Sequence, residues 1–323
     1  MSGWLKAGFG LLLLLFIALA VSYFQMNHKH LIVAQTMVIA HGSASSHVAK
    51  RLEKQGIIDS SLWFRIYGKF LAEATQMKAG EYQFSGSMSV QDVWAKLLQG
   101  DVVLHQVTIP EGLRTQEVLI LLAKQTSTNL QDWQAALKSI LQGKEAEGRL
   151  LPETYTYSLP VEPKKLLTNM IQAQQVVLNS LLGVDVEKVR IMASIIEKET
   201  AFDSERPLVS AAIHNRLKLG MRLQMDPTVI YGMWRRDGTF SGNIRRQDLK
   251  TDTAWNTYTR KGLPMTPICN PGTASLRAAA SPADVSYLYF VANGTGGHAF
   301  ASTLAEHQAN VRKWVKVERQ RNK

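Results

Sequence analysis

The sequence predicts an α+β protein: an N-terminal transmembrane helix, then small α/β units, then a mixed α+β domain. Three observations carry that expectation. One long uncharged apolar run opens the chain, a strand–turn–helix scheme recurs in its first third, and amphipathic helical periods followed by a strand-rich hairpin close it. At 323 residues, 46% hydrophobic and 20% charged, the chain has ordinary globular composition and room for two or three compact domains.

The apolar run covers 7–24, from Ala7 to Phe24, and just meets the length needed to cross a bilayer. Lys6 precedes it and His28, Lys29 and His30 follow, so lysines flank it on both sides and charge does not fix its orientation. Ala18-Leu19-Ala20 has the small-x-small spacing that a signal peptidase cleaves, which makes a removable signal the alternative. Apolar residues continuing through Val21, Tyr23 and Phe24 favour an uncleaved anchor. Either reading puts the rest of the chain outside the cytoplasm.

Over 36–124 the scheme of strand, turn and amphipathic helix appears in three versions. Met37-Val-Ile-Ala40 leads through His41-Gly42-Ser43 to a helix over Ser46–Leu52, with Ser60–Phe70 as an extra helix. Glu81-Tyr-Gln-Phe84 leads through Gly86 to Val90–Leu98, and Val107-Thr-Ile109 leads through Gly112 to Thr115–Leu122. Glycine supplies each turn, and Ser or Thr can cap the helix that follows. A Gln-rich linker with a helix around Trp133–Leu141 occupies 125–163, and a domain boundary is expected near Pro163. The second half, 164–323, predicts helices over Lys164–Leu182, Val186–Thr200 and Arg206–Leu219. It ends in a hairpin of Tyr287–Val291 with His298–Phe300, then a helix opened by the capping box Thr303 to Glu306.

The formal charge of +11 and the pI near 9.7 favour an anionic partner, which could be nucleic acid, lipid headgroups or a wall polymer. Zinc-finger and RNP-like motifs are missing, and the basic residues are scattered apart from the tail of Arg312, Lys313, Lys316, Arg319, Arg321 and Lys323. Nucleic acid is therefore not expected. The single cysteine, Cys269, excludes both an intramolecular disulfide framework and a thiolate metal cluster. His298 and His307 lack ligand-like spacing, so no metal site is expected.

The helix over Val186–Thr200 singles out one acid. At roughly 100° per residue, Val189, Met192, Ala193, Ile195 and Ile196 share one side, and Glu199 falls inside that apolar arc. Glu197 lies at its margin. A carboxyl group on the buried side loses hydration, keeps its proton near neutral pH and is fit for general acid work. The plainer reading is a glutamate fraying from the last turn or paired with Arg206 or Arg216. Downstream, Asn215, Arg216, Gln224, Asp226, Thr228 and Tyr231, then Asn256 and Tyr258, combine amides, carboxylate, hydroxyls and aromatic faces. A sugar-binding cleft uses that mixture. Gln224, Asp226 and Thr228 equally suit a turn before a capped segment.

Ala193-Ser-Ile-Ile-Glu-Lys-Glu-Thr-Ala201, Asn215-Arg-Leu, Met221-Arg-Leu-Gln-Met-Asp-Pro-Thr-Val-Ile-Tyr-Gly232, Asn256-Thr-Tyr-Thr259 and Tyr287-Leu-Tyr-Phe-Val291 resemble the endolytic murein transglycosylase family, YceG-like. The resemblance extends to Glu147–Tyr155 and to the front half, where the small units look like the family's LysM-like region. It implies a single-pass protein of the bacterial inner membrane with a periplasmic catalytic domain over 164–323. It also implies a lytic transglycosylase cutting the bond between N-acetylmuramic acid and N-acetylglucosamine, without cofactor, to leave 1,6-anhydro ends. Termination of nascent strands and contact with cell-wall synthases are further expectations of the same resemblance. The family's acid falls on Glu199, with Asn215, Arg216, Gln224, Asp226, Thr228, Tyr231, Asn256 and Tyr258 as expected substrate contacts. The rivals are a water-using muramidase with Asp226 as second carboxylate, and a non-catalytic wall-binding division scaffold.

Overall fold

The computed structural model describes residues 2–70, 77–240 and 242–321. It is a mixed α/β structure that divides into two compact units, Met1–Gln106 with Thr156–Glu162, and Val107–Tyr155 with Pro163–Lys323.

The first unit opens with α1 (Ser2–Asn27), a helix long and apolar enough by length and composition to cross a membrane. Leu11, Leu12, Leu14 and Phe16 are all exposed on it, as suits a lipid-facing surface. Then come β1 (His30–Ile39), α2 (Ser45–Lys54), α3 (Ser61–Phe70), β2 (Gly80–Met88) and α4 (Val90–Gln99). The first two strand–turn–helix units do not stand apart. Their strands pair antiparallel, Met37 opposite Tyr82, with a bulge between Ile32 and Gln35, and together cover one core. Alternation along β1 and β2 turns Met37, Ile39, Tyr82 and Phe84 inward. Trp94 of α4 stacks on Phe64 of α3 at 4.4 Å and donates Nε1–H to the Phe64 carbonyl at 2.8 Å, so its one polar atom is satisfied in the core. A reciprocal capping box between Ser89 and Asp92 starts α4, and Gly100 in the left-handed region ends it.

The division into units falls within β3 (His105–Thr108) and β4 (Thr154–Tyr157), which pair with each other. The second unit continues with α5 (Thr115–Gln125), α6 (Leu130–Leu141), α7 (Pro163–Asn179), α8 (Val186–Glu199), α9 (Arg206–Lys218), α10 (Asp226–Asp237), α11 (Arg246–Lys250) and α12 (Thr273–Ala280). The hairpin β5 (Tyr289–Ala292) and β6 (His298–Ala301) follows, then α13 (Leu304–Arg321). The expected hairpin forms with Phe290 opposite Phe300, and Glu306 bonds back to Thr303 to open α13. The basic tail runs along α13 as far as Arg321, and Lys323 lies outside the described residues.

The chain passes between the compact units at Gln106 and Val107, at Tyr155 and Thr156, and at Glu162 and Pro163, the last of these being where the sequence suggests a boundary. The third strand–turn–helix unit packs with the second half for identifiable reasons. Asn270 accepts from Gly112 N at 3.0 Å through its carbonyl, and its own N–H and Nδ2 both donate to the Leu113 carbonyl. Its Oδ1 accepts from Leu150 N at 2.9 Å, so one buried asparagine ties the Gly112 turn, the 147–155 segment and the 270 region together.

The core of this unit is built around α8. Ala193, Ile195 and Ile196 are fully buried among Val209 and Ile213 of α9, Tyr231 of α10 and Leu276 and Ala279 of α12. Cys269 is buried here as well, its thiol donating to the Ser194 carbonyl at 3.3 Å, and burial pushes that thiol well above its usual pKa. It is a packing residue.

Candidate functional site

Helix α8 starts where Asp185 accepts from Lys188 N and ends at Glu199, because Thr200 turns to an extended backbone. Thr200 is buried, and its hydroxyl donates to Glu205 Oε2 at 2.9 Å while accepting from Phe202 N. That stop leaves Glu199 at the edge of the core instead of inside it. Its carboxyl lines a cleft of about 210 Å³ with Arg216, Gln224, Met225, Asp226, Tyr258 and Phe290.

Burial is the main reason the Glu199 pKa is pushed up to about 8, and the nearby Asp226 charge pushes the same way while Arg216 opposes both. A carboxylic acid with that pKa is mostly protonated at neutral pH and can still give the proton up. Glu197 has a different fate. Its side chain is 5% exposed, and it accepts from Gly272 N at 2.9 Å and pairs with Arg206 at 3.4 Å. Arg206 is buried too, with Asp203 and Glu111 as further partners and Ser275 Oγ accepting from its Nε. Glu197 therefore anchors α8 to the start of α12, away from the cleft lining.

Of the eight expected substrate contacts, the fold brings Arg216, Gln224, Asp226 and Tyr258 to the cleft beside Glu199. Arg216 is partly spent on structure: Nε donates to the Leu288 carbonyl and Nη1 to the Leu223 carbonyl, both at 2.6 Å, and burial draws its pKa down. Gln224 is exposed and holds φ at 51°, a left-handed conformation uncommon outside glycine. Its N–H donates to the Thr257 carbonyl, so the strain aims a side-chain amide at the cleft mouth. Asp226 is the first residue of α10, where the helix dipole favours an anion, and its Oδ1 accepts from the Tyr258 hydroxyl at 2.5 Å.

The other four point elsewhere. Asn215 Nδ2 donates to the Val285 and Tyr287 carbonyls, clamping the segment that leads into β5. Asn256 is fully buried, with Nδ2 on the Asp248, Leu249 and Thr251 carbonyls and Oδ1 accepting from Tyr258 N. Thr228 bonds Met225 and Thr257 in the interior. Tyr231 donates to Glu147 Oε2 at 3.0 Å. These four shape the cleft without lining it.

The segment read as a possible turn before Pro227 proves to be the start of the twelve-residue helix α10. An aspartate followed by proline at a helix opening is a known start signal, and it was legible. Phe290 was missed as a cleft residue. It stands in β5, edge-on to His298 at 5.3 Å, and only the folded hairpin swings it to α8. His298 Nδ1 lies 2.7 Å from Glu205 Oε2 and its backbone N donates to Glu205 Oε1, so the same carboxylate that holds Thr200 also holds the hairpin. Among the described residues, no group of His, Cys, Asp and Glu could hold a metal ion.

On a mixed α/β scaffold, Glu199 thus shares a polar cleft with Asp226, whose charge adds to burial in raising its pKa, and with Arg216, which lowers it. The YceG-like family model matches residues 37–313, and the chain belongs to that family. A relative from Bacillus subtilis (strain 168), an endolytic murein transglycosylase, is 30% identical over 309 residues, covering 86% of this chain and 84% of the relative. One of the same name from Streptococcus pneumoniae serotype 2 (strain D39) is 27% identical over 325 residues, and the match spans only 58% of its length. The crystal structure of a YceG-like protein from Listeria monocytogenes aligns with a TM-score of 0.55 at 30% identity, over 86% of this chain and 99% of that one.

Proposed function

We propose that this chain is a peptidoglycan lytic transglycosylase that cuts within glycan strands, with Glu199 as its acid and base. The observation that carries the reading is the Glu199 carboxyl, held mostly protonated in an open polar cleft with its pKa near 8. Protonated Glu199 donates to the oxygen joining N-acetylmuramic acid to N-acetylglucosamine, and that bond breaks as positive charge builds on the muramoyl ring. The carboxylate so formed then takes the proton of the 6-hydroxyl, whose oxygen closes onto C1 of its own sugar. The product is a 1,6-anhydro end, and Glu199 is protonated again. An internal nucleophile needs positioning and no activated water. Asp226, Gln224 and Tyr258 supply polar contacts at the cleft, and Asp226 also sustains the raised pKa of Glu199. The chemistry needs no cofactor.

In this reading α1 is a single-pass anchor in the bacterial inner membrane, with the second unit in the periplasm. The first unit is a LysM-like wall-binding module, supported by its own core and its β1–α2–α3–β2 order. Cutting nascent strands beside cell-wall synthases would terminate their elongation. Mass spectrometry of uncrosslinked glycan treated with the full chain tests the chemistry: anhydro ends are expected from the wild type and none from Glu199→Gln. Cleavage by Glu199→Gln at the wild-type rate would overturn the assignment.

Asp226 in the same cleft favours one second reading, a muramidase that activates water. Reducing ends in place of anhydro ends would establish it.

A further inference from the structure

We propose that the groove at the far end of α10 is a subsite for the acidic peptide stems carried by the substrate strand. The inference rests on the glycan-cleaving reading of the Glu199 cleft. The groove has a volume of about 470 Å³ and lies between α5, α6, the 143–147 loop and the C-terminal turn of α10. Its lining includes Lys138, Lys144 and Arg235, the amides of Gln116 and Gln134, and the indole of Trp234.

The charge balance selects an anion. Lys138 and Lys144 are exposed and have no ion-pair partner among the described residues. Arg235 lies over the Trp255 ring at 5.3 Å and likewise has no ion-pair partner among the described residues. The two acids of the groove are engaged elsewhere. Glu145 Oε1 accepts from the N–H groups of Ala146 and Glu147 in its own loop. Glu147 is buried, accepts from Thr115 N and Oγ1 and from the Tyr231 hydroxyl, and burial favours its neutral form. Three cations thus face the groove with one loop-bound carboxylate to offset them. An uncharged sugar chain gives such cations nothing to pair with, whereas a peptide with free carboxylates does. Glutamine amides and an indole face match peptide bonds and methyl side chains.

Position agrees with charge. Asp226 at the cleft and Arg235 at the groove stand at opposite ends of one helix, about 13 Å apart at the helical rise. A peptide of four residues reaches about 13 Å when extended. Tyr258 of the cleft lies three residues from Trp255, on which Arg235 stacks, and Arg114 stacks on Trp234 at 3.8 Å. At roughly 100° per residue Asp226 and Arg235 lie on opposite faces of α10, so the groove takes a stem of the bound strand from a sugar beyond the one held at Glu199.

The test is binding of a soluble stem tetrapeptide to the full chain in detergent, by calorimetry, beside the same peptide with its carboxylates amidated. Saturable binding of the acid form, weakened about tenfold or more by amidation and by Lys138→Glu with Lys144→Glu, is the expected result. Equal binding of both peptides, equal binding by the doubly substituted chain, or no binding at millimolar peptide overturns the subsite. Lys138→Ala with Lys144→Ala repeats the measurement without charge reversal, and circular dichroism verifies that each variant is folded. Because the readout is binding, Glu199→Gln should bind the tetrapeptide as the wild type does. Loss of the subsite and loss of the cleavage assignment are then separate results.

Discussion

Tyr258 donates its phenolic hydrogen to Asp226 Oδ1 at 2.5 Å, joining the loop after α11 to the first turn of α10 at the mouth of the Glu199 cleft. Burial and the Asp226 charge both push the Tyr258 pKa up, so the phenol stays a donor throughout the working pH range. Tyr258→Phe removes that donor and frees Asp226 to turn away. We expect kcat/KM for strand cleavage to fall about tenfold with the melting temperature little changed, measured on uncrosslinked glycan.

Asp226→Asn tests the electrostatics directly. The Asp226 charge helps raise the Glu199 pKa and Arg216 lowers it, so neutralising Asp226 leaves burial and Arg216 in opposition. The basic limb of the pH–rate profile is expected near pH 8 in the wild type and at lower pH in the variant. An unmoved limb would show that Asp226 does not act on the acid.

Stability should report the same group. In the folded chain Glu199 titrates near 8, against 4.5 when unfolded, so the folded state binds the extra proton between those values. Its contribution is therefore fully present below about pH 4.5 and is lost as pH rises through 8, on the order of 5 kcal/mol. Glu199→Gln cannot lose a proton. The difference in unfolding free energy between variant and wild type should grow in favour of the variant from pH 5 to pH 9, followed by denaturant titration at each pH.

The hairpin gives a test remote from the acid. A methyl group at Gly297 would run into Glu205 Oε1, which is already held by the His298 N–H. Gly297→Ala should push the hairpin off Glu205 and shift Phe290 at the cleft wall. The expected result is a loss of cleavage of about tenfold or more from sub-ångström misplacement, with secondary structure retained by circular dichroism.

In the first unit, Gly68 of α3 lies against the Trp94 ring, so Gly68→Ala overfills a packed core. Differential scanning calorimetry should register a destabilisation of about 1–3 kcal/mol.

Much of this was legible in the chain itself. The helical period over Val186–Glu199 set Glu199 on the apolar side and left Lys198 outside, and the core around Ile195 and Ile196 has that arrangement. The uncharged run predicted α1, and alternation with turn residues predicted the β5–β6 pair. These signals are local. They depend on neighbours three or four residues away in a helix, or two in a strand, and no folded context is needed to read them.

What escaped the sequence depended on partners outside helical or strand spacing, most of them far along the chain. Asn215 and Asn256 look like sugar ligands as residue types, yet backbone carbonyls use up their amides, for Asn215 some 70 residues away. Tyr231 and Thr228 belong to a helix whose inner face became defined only when Glu147 and Thr257 packed against it. The third strand–turn–helix unit shares its local pattern with the first two, and contacts such as those of Asn270 and of Glu147 with Thr115 assign it to the other core. Periodicity alone set which face of α8 carries its acid. That this acid meets Asp226, Arg216 and Phe290 was decided by tertiary packing, because burial and charge act through distances that no spacing in the sequence encodes.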